Sequence, residues 1–217
     1  HLSIRRQRQM CIRDRSYMTG VQIRATNVDG LAADFREFAQ GEYLANGAQQ
    51  ASMRQIIMGG DSAGLISVMT RWDTIDAAMS GHLINANQKI ADSMGNNDAQ
   101  IISRSLIAVS SERGTPEGPY GSMLTMSGQV APPSVQQEMA DHGWSLMSGN
   151  GVNGIRQGMI VAGGDRTGLW TAGTYCESLD GLMENSAKMF SDPTMQANMA
   201  KYGNQLVSRS MFRTLVA

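Results

Sequence analysis

The sequence has few of the side chains that build disulfides, metal centres or membrane spans. Its 217 residues include two cysteines and three histidines. Cys11 lies in an atypical N-terminal stretch, and Cys176 alone cannot form an internal disulfide. No apolar run approaches the roughly 18 residues that a membrane-spanning helix needs. We therefore expect a cytoplasmic protein that has no resident metal, no other cofactor and no membrane partner.

Residues 1–16 differ in composition from the rest of the chain. They carry five arginines and one acidic residue and show no helical or strand period. We interpret them as a non-native or disordered leader; a transit peptide and a nucleic-acid-binding arm are the alternatives. Of the 18 basic and 19 acidic residues, 13 and 18 lie outside this stretch, which leaves a formal charge of −5. This mildly acidic body argues against a nucleic-acid partner.

The remainder of the chain contains an internal repeat with an offset of about 104 residues, which is the type of signal that can decide a fold. The second copy has the same kinds of residue in the same order as the first. The best-matched pairs are Gly59–Gly64 with Gly163–Gly168, Met53-Arg54-Gln55 with Ile155-Arg156-Gln157, and Ser103-Arg104-Ser105 with Ser208-Arg209-Ser210.

Each half predicts the same element order, β-α-β-β-α-β. In the first half, Val21–Thr26 alternates apolar and polar residues, as a half-buried strand does. Leu31, Phe35 and Phe38 then recur at helical spacing after an expected cap at Asp29. The glycine-rich segments between the second and third strands predict hairpin turns, because a phosphate-binding loop would open onto a helix.

The repeat boundaries predict two units, residues 17–110 and 121–217. Glycines and prolines in residues 111–120 favour a linker between them. A β-α-β-β-α-β unit is the ferredoxin-like motif, which leaves one face of its sheet uncovered. Two such units in one chain can cover each other, sheet against sheet.

In this respect the sequence resembles the dimeric α+β barrel superfamily, with two units fused in one chain. The resemblance rests on helix starts at Thr74 and Ser178, the two glycine-rich turns and the Asp192-Pro193 break. It implies an α+β fold in which two tandem ferredoxin-like repeats form a pseudo-twofold α+β barrel. The superfamily includes cofactor-free monooxygenases, haem-handling enzymes and isomerases, so the fold alone selects no single activity.

No catalytic signature stands out, and three residues are the candidates for one. They are His142, Trp144 and Tyr175. His142 aligns with Phe38 of the first repeat, which favours a packing role over acid–base chemistry or haem ligation. Cys176 is disfavoured as a nucleophile, because the neighbouring Glu177 should raise its pKa.

Three arginines in the middle of strands are the candidate ligand-binding residues: Arg24, Arg104 and Arg209. We expect Arg104 and Arg209 to point between the sheets or to the barrel mouth, where they would hold an anionic ligand. A structural ion pair or an exposed strand edge is the alternative. The 17 methionines are explained either by core filling or by an adaptable pocket for an apolar ligand.

These patterns favour an α+β barrel protein that binds a small organic molecule in the barrel and has no assignable catalysis. A cofactor-free monooxygenase or isomerase-like enzyme is one alternative, and a purely structural or assembly module is the other. A ligand-sized cavity would argue against the structural module, and a carboxylate or histidine inside it would favour the enzyme. A homo-oligomer is also expected.

Overall fold

The computed structural model describes residues 16–217. The leader predicted at residues 1–16 lies outside this range except for Ser16, whose carbonyl oxygen accepts a hydrogen bond from the Val109 N–H at 2.9 Å. The strands of the described chain are β1 Tyr17–Ala25, β2 Gln50–Met58, β3 Ile66–Trp72, β4 Ala99–Gly114, β5 Tyr120–Ser127, β6 Val152–Ala162, β7 Trp170–Cys176 and β8 Gln205–Val216.

The eight strands form one closed antiparallel barrel in the order β1-β3-β2-β8-β5-β7-β6-β4. Strands β1 to β4 are therefore contiguous on one side, and β5 to β8 on the other. The two sides join through the β2–β8 and β4–β6 ladders. The chain is thus an α+β protein with an eight-stranded barrel, as the resemblance predicted.

The helices of the described chain are α1 Val28–Asp34, α2 Gln40–Ala45, α3 Ile75–Gly81, α4 Gln88–Asn96, α5 Pro133–Met147, α6 Leu179–Ser191 and α7 Pro193–Lys201. A π-helical segment, Phe35–Ala39, joins α1 to α2, and a 3-10 segment, His82–Ala86, joins α3 to α4. The second helix predicted for the first half, which begins after Thr74, is therefore interrupted by the 3-10 segment. None of the helices in the described residues is long and apolar enough to cross a membrane.

Capping side chains fix several helix starts. The Thr74 hydroxyl accepts a hydrogen bond from the Ala77 N–H at 3.0 Å, and the Ser178 hydroxyl accepts one from the Gly181 N–H at 3.2 Å. Both starts agree with the sequence prediction. The cap of α1 differs: Asn27, not Asp29, accepts from the Gly30 N–H at 3.0 Å. Asparagine two residues earlier satisfies the first free amide equally well.

Strand β4 is longer than the sequence predicts. Its last residues, 111–114, were assigned to the linker, but they pair with β6 between Gln157 and Gly154. The break at Gly114 is where the chain leaves the barrel, with a positive φ of 67° that favours glycine. Only the segment after Gly114 connects the two halves without strand structure.

The alternation of each strand divides its side chains between the helices and the barrel interior. On β1, Val21 and Ile23 pack outward with Leu31 and Phe35 in the largest buried cluster. Inside the barrel, a smaller apolar cluster fills the middle of the interior: Met18, Met69, Ile107, Val109 and Ile160. The main core therefore lies between helices and sheet, and the barrel interior is only partly filled.

Candidate functional site

One end of the barrel interior is sealed by a cluster of two arginines and one glutamate. Arg156 is 6% exposed and forms an ion pair with Glu112, which also accepts a hydrogen bond from Arg71 at 3.1 Å. Arg156 Nη2 donates a second hydrogen bond to Gln50 at 3.1 Å. A carboxylate shared by two arginines offsets the cost of burying their charges, so this end has a structural role.

The other end of the interior is hollow. The hollow, called here the barrel cavity, has a volume of about 370 Å³ and opens beside the glycine-rich turns at Gly59 and Gly163. Arg54 faces it and is 4% exposed. Six serines contribute to its wall: Ser62, Ser67, Ser103, Ser105, Ser208 and Ser210. The barrel is therefore not packed solid.

The two Ser-Arg-Ser segments place their serines in the barrel and turn their arginines outward. Arg209 Nη2 donates to the Ser186 hydroxyl of α6 at 2.9 Å, and its guanidinium lies 5.8 Å from the Phe190 ring centre. Burial lowers the pKa of Arg209. The prediction that these arginines point between the sheets is wrong, because the period-two alternation sends the neighbours of inward serines to the helix side.

Arg209 still borders the barrel cavity, although its guanidinium lies on the helix side, whereas Arg104 and Arg24 lie apart from that cavity. Arg104 is exposed at the edge of an outer groove of about 310 Å³ that runs against α3. It lies near Tyr43, whose pKa is raised by burial and lowered in part by the Arg104 charge. Arg24 is exposed near the end of β1, where it pairs with Gln100 of β4. The three candidate arginines therefore form no common site.

The three catalytic candidates are also separated, since each lies in a different environment. Tyr175 is 2% exposed inside the barrel, where its ring packs edge-on against Phe212 at 5.8 Å. Trp144 packs on the outer face with Val152, Cys176 and Leu182. His142 lies on α5 and contacts the junction of α6 and α7. None of the three lines the barrel cavity, the outer groove or the helix-side cavity.

His142 has a carboxylate partner that the sequence did not reveal. Its Nε2 donates to Asp192 Oδ1 at 2.8 Å, and the same oxygen accepts from the Met195 N–H at 2.9 Å. The hydrogen bond from His142 and the amide of Met195 lower the pKa of Asp192. Asp192 thereby caps α7 and ties it to α5. This pair positions helices and is oriented away from the barrel interior.

A second enclosed space lies between helices α5, α6 and α7 and the outer face of the second-half strands. This helix-side cavity has a volume of about 150 Å³. Six methionines line it: Met126, Met139, Met147, Met189, Met195 and Met199. Trp170, Phe190 and Tyr202 add aromatic surface, and five glutamine and asparagine side chains add polar groups. No Asp, Glu, Lys, Arg, His or Cys occurs among the described residues of its wall.

The corresponding cavity in the first half is about 50 Å³, and it shares Val21, Tyr43 and Val68 with the outer groove along α3. At the 104-residue offset its wall has larger or stiffer residues than the second half. Phe35, Tyr43, Val68 and Met94 stand where the second half has Met139, Met147, Ala172 and Asn198. Replacing rings by flexible thioethers and a valine by alanine removes volume from an otherwise similar frame.

Cys176 is completely buried, and burial raises its pKa to about 11, with Glu177 adding to the effect. This agrees in direction with the prediction that it is a poor nucleophile. Among the side chains that the structure describes, no three His, Cys, Asp or Glu are grouped as a metal ion would require.

Comparison with known proteins identifies the fold. No protein-family model matches the sequence, and no curated protein matches it. A provisionally assigned chlorite dismutase aligns with a TM-score of 0.61 at 10% identity, over 92% of this chain and 94% of its own. A provisionally assigned monooxygenase from Fusobacterium nucleatum gives 0.54 at 9% identity, over 93% and 92%.

A haem-binding protein from Thermus thermophilus aligns with a TM-score of 0.55 at 11% identity, over 92% of this chain and 90% of its own. Each of these three structures aligns with nearly the whole of this chain, at very low sequence identity. The chain therefore has the dimeric α+β barrel fold, and the identities are too low to transfer an activity.

Proposed function

We propose that this protein binds a small, uncharged and largely apolar organic molecule in the helix-side cavity. The observation that carries the proposal is the chemistry of the cavity wall. It combines six methionines and three aromatic rings with amide groups, and its described residues include no charged side chain. Enclosed apolar pockets with a few polar groups are the usual form of a small-molecule site.

Two features of the cavity wall suit the binding of an uncharged ligand. Methionine side chains adapt to irregular shapes and contact aromatic rings favourably. The buried Asn204 Oδ1 has no hydrogen-bond partner among the described residues. A ligand hydroxyl or N–H could supply that missing bond, since an unsatisfied buried acceptor is costly. We infer a ligand with an apolar body and one or more neutral polar groups.

The enzyme alternative lacks the groups it needs in this cavity. A cofactor-free oxygenase or isomerase moves a proton from its substrate, which requires a side chain of suitable pKa within hydrogen-bond reach. The described wall has no carboxylate or histidine, and Tyr202 is its one titratable side chain. His142 is engaged with Asp192 at the helix junction. Binding is therefore the better supported function, and the cavities argue against a purely structural module.

One structural relative is described as a haem-binding protein, and the helix-side cavity of this chain does not suit haem. Haem iron is held by histidine, cysteine, tyrosine or methionine paired with histidine. Tyr202 is the one possible iron ligand in the described wall, since its methionines have no histidine to pair with, and no basic side chain lines the wall to pair with the haem carboxylates. We therefore assign no haem chemistry to this chain.

The repeat organisation, the cellular location and the oligomeric state of the protein are also proposals. We propose that residues 17–110 and 121–217 are two tandem ferredoxin-like repeats, because the strand order 4-1-3-2 recurs as 8-5-7-6 around the barrel. We further propose a cytoplasmic homo-oligomer. Exposed Ile75, Met79 and Leu83 near α3 support self-association, and light scattering coupled to gel filtration tests it.

A fluorescence titration tests the binding function. The probe is N-phenyl-1-naphthylamine, which is neutral and gains emission in apolar surroundings. We expect saturable binding to the wild-type protein and at least about tenfold weaker binding to Met139→Phe, which places the Phe35 side chain in the second half. Phe35→Met is the matched control, since it alters the first half alone. Equal binding by both variants would place the site elsewhere.

A further inference from the structure

We propose that the barrel cavity is a second binding site, independent of the helix-side cavity, that takes a small organic carboxylate with Arg54 as its anchor. The proposal starts from the environment of one guanidinium. Arg54 is 4% exposed, and its hydrogen bond to a protein group runs from Nη2 to the Ser52 hydroxyl at 3.1 Å. In the described part of the chain, Nε and Nη1 donate to no other group, and both keep some exposure, which the barrel cavity provides.

The groups beside Arg54 are aromatic instead of acidic. Its guanidinium carbon lies 4.8 Å from the Tyr175 ring centre and 5.0 Å from that of Phe212. Ring faces attract a cation but do not neutralise it. None of the ion pairs found in the described chain includes Arg54. A buried cation in this setting lacks the counter-charge that normally accompanies burial.

A second inward arginine supplies an internal comparison. Arg156 lies on β6, the strand equivalent to β2, but two residues farther from the glycine-rich turn, because it pairs with Gly173 whereas Arg54 pairs with Ser67, the equivalent of Thr171. The two arginines have almost the same exposure, at 6% and 4%. Arg156 meets the carboxylate of Glu112 at the sealed end of the barrel. Arg54 faces the open end, where no carboxylate of the described residues lines the cavity. The chain therefore provides an anion for one arginine and leaves a cavity beside the other.

The remaining wall of the barrel cavity indicates the class of ligand. Among the described residues it contains no Asp or Glu, and Arg166 of the β6–β7 turn adds a second positive charge near the mouth. The six serines, with Gln22 and Thr125, offer hydroxyl and amide groups over a volume of about 370 Å³. A planar carboxylate fits a guanidinium edge, and hydroxyl or carbonyl groups on the same molecule would meet the serines.

Isothermal titration calorimetry at low ionic strength tests this site with citrate, succinate and inorganic phosphate as probes. We expect citrate or succinate to bind the wild-type protein and Arg54→Met to weaken that binding at least about tenfold. Arg213→Gln is the charge control: Arg213 is exposed on the outer face and donates to Gln55 at 3.0 Å. We expect it to bind within about twofold of wild type.

Three results would overturn the proposal: no carboxylate binds, phosphate binds more tightly than both carboxylates, or Arg54→Met binds as the wild type does. If Arg54→Met does not fold, amide NMR of the wild-type protein decides. Citrate should then shift the Gly20 and Gly59 amides, which border the barrel cavity, and leave Gly143 of α5 unchanged. Shifts confined to other regions would contradict it.

The proposals for the barrel cavity and for the helix-side cavity can be contradicted independently of each other. Arg54→Met should still bind N-phenyl-1-naphthylamine, because Arg54 is absent from the wall of the helix-side cavity. Loss of citrate binding with retained probe binding therefore supports the barrel site and leaves the helix-side function intact. Loss of both ligands in a folded Arg54→Met protein would contradict the independence of the two sites.

Discussion

The two halves of the barrel have the same order of elements but use the space beneath their helices differently. In the first half, Phe35, Tyr43 and Trp72 belong to a large buried cluster, and a cavity of about 50 Å³ remains beside the outer groove of about 310 Å³ along α3. In the second half the equivalent buried cluster is small, and a cavity of about 150 Å³ remains under α5 to α7. Side-chain volume, not backbone topology, thus sets the different sizes of the two equivalent cavities.

The largest expected effect comes from truncating the filled half. Phe35→Ala should destabilise the protein by about 3–5 kcal/mol, because a 4% exposed ring leaves a new cavity. Met139→Ala, at the equivalent position, should cost only about 1–2 kcal/mol, because it enlarges a space that already exists. Urea unfolding measures both. Equal costs would mean that the two halves are packed alike.

Arg156 and Arg54, which both face the barrel interior, should also differ in how much they contribute to the free energy of unfolding. Arg156→Met should cost about 1–3 kcal/mol in unfolding free energy, because Glu112 loses one of its two arginine partners and Gln50 loses a donor. Arg54→Met should cost less than about 1 kcal/mol in buffer without added carboxylates, because it strands no partner. Denaturant midpoints of the two variants give the comparison. A larger cost for Arg54→Met would show that a protein group compensates its charge.

Filling the second half should stabilise it at the expense of binding. Ala172→Val restores the residue of the first half, Val68, and should raise stability by about 1 kcal/mol, or about 2–4 °C in Tm. Val68→Ala is the converse change and should cost about 2 kcal/mol. Calorimetric melting of both variants tests the pair. A loss of stability in Ala172→Val would indicate that the helix-side cavity has no room for two carbons.

The smallest effect concerns the acid dependence of the second-half helices. The pKa of Asp192 is lowered in the folded protein from the ordinary value of 3.8, by the His142 hydrogen bond and helix amides. Its stabilising contribution is therefore complete above the ordinary aspartate pKa and is lost as the pH falls through the lower, folded value.

Asp192→Asn should consequently lose less stability than wild type between about pH 6 and about pH 3. Thermal melts at the two pH values measure the difference. Asp61→Asn, in an exposed turn, is the control for removing one carboxylate. An equal acid-induced loss of stability in Asp192→Asn and wild type would show that Asp192 does not contribute to the acid dependence.

The sequence predicts the frame of the molecule well, because periodicity and caps are local properties. The α+β barrel, the order of its strands along the chain and the helix starts at Thr74 and Ser178 follow from such patterns. The end of β4 was misjudged, since Gly114 and the prolines after it masked four residues that pair with β6. Pairing with a distant strand leaves no local signal.

The site residues were harder to predict, because they depend on which face of a strand is buried. Arg104 and Arg209 attracted attention through their repeated triplets, yet the structure turns them outward. Arg54 was not among the predicted site residues. The available signal was a charged residue within a buried strand, between Met53 and Gln55-Ile56. Its lack of an acidic partner in the described chain, and the volumes of the cavities, emerge only from the packing of distant segments.

The central claim is that the second-half cavity is the binding site, and methyl NMR of protein labelled at its methionine methyl groups tests it most directly. On addition of N-phenyl-1-naphthylamine, we expect shifts at Met139, Met189, Met195 and Met199, which line that cavity, and no shift at Met53, which is buried in the first half. Shifts at Met53, with the four cavity methyl groups unchanged, would contradict the account.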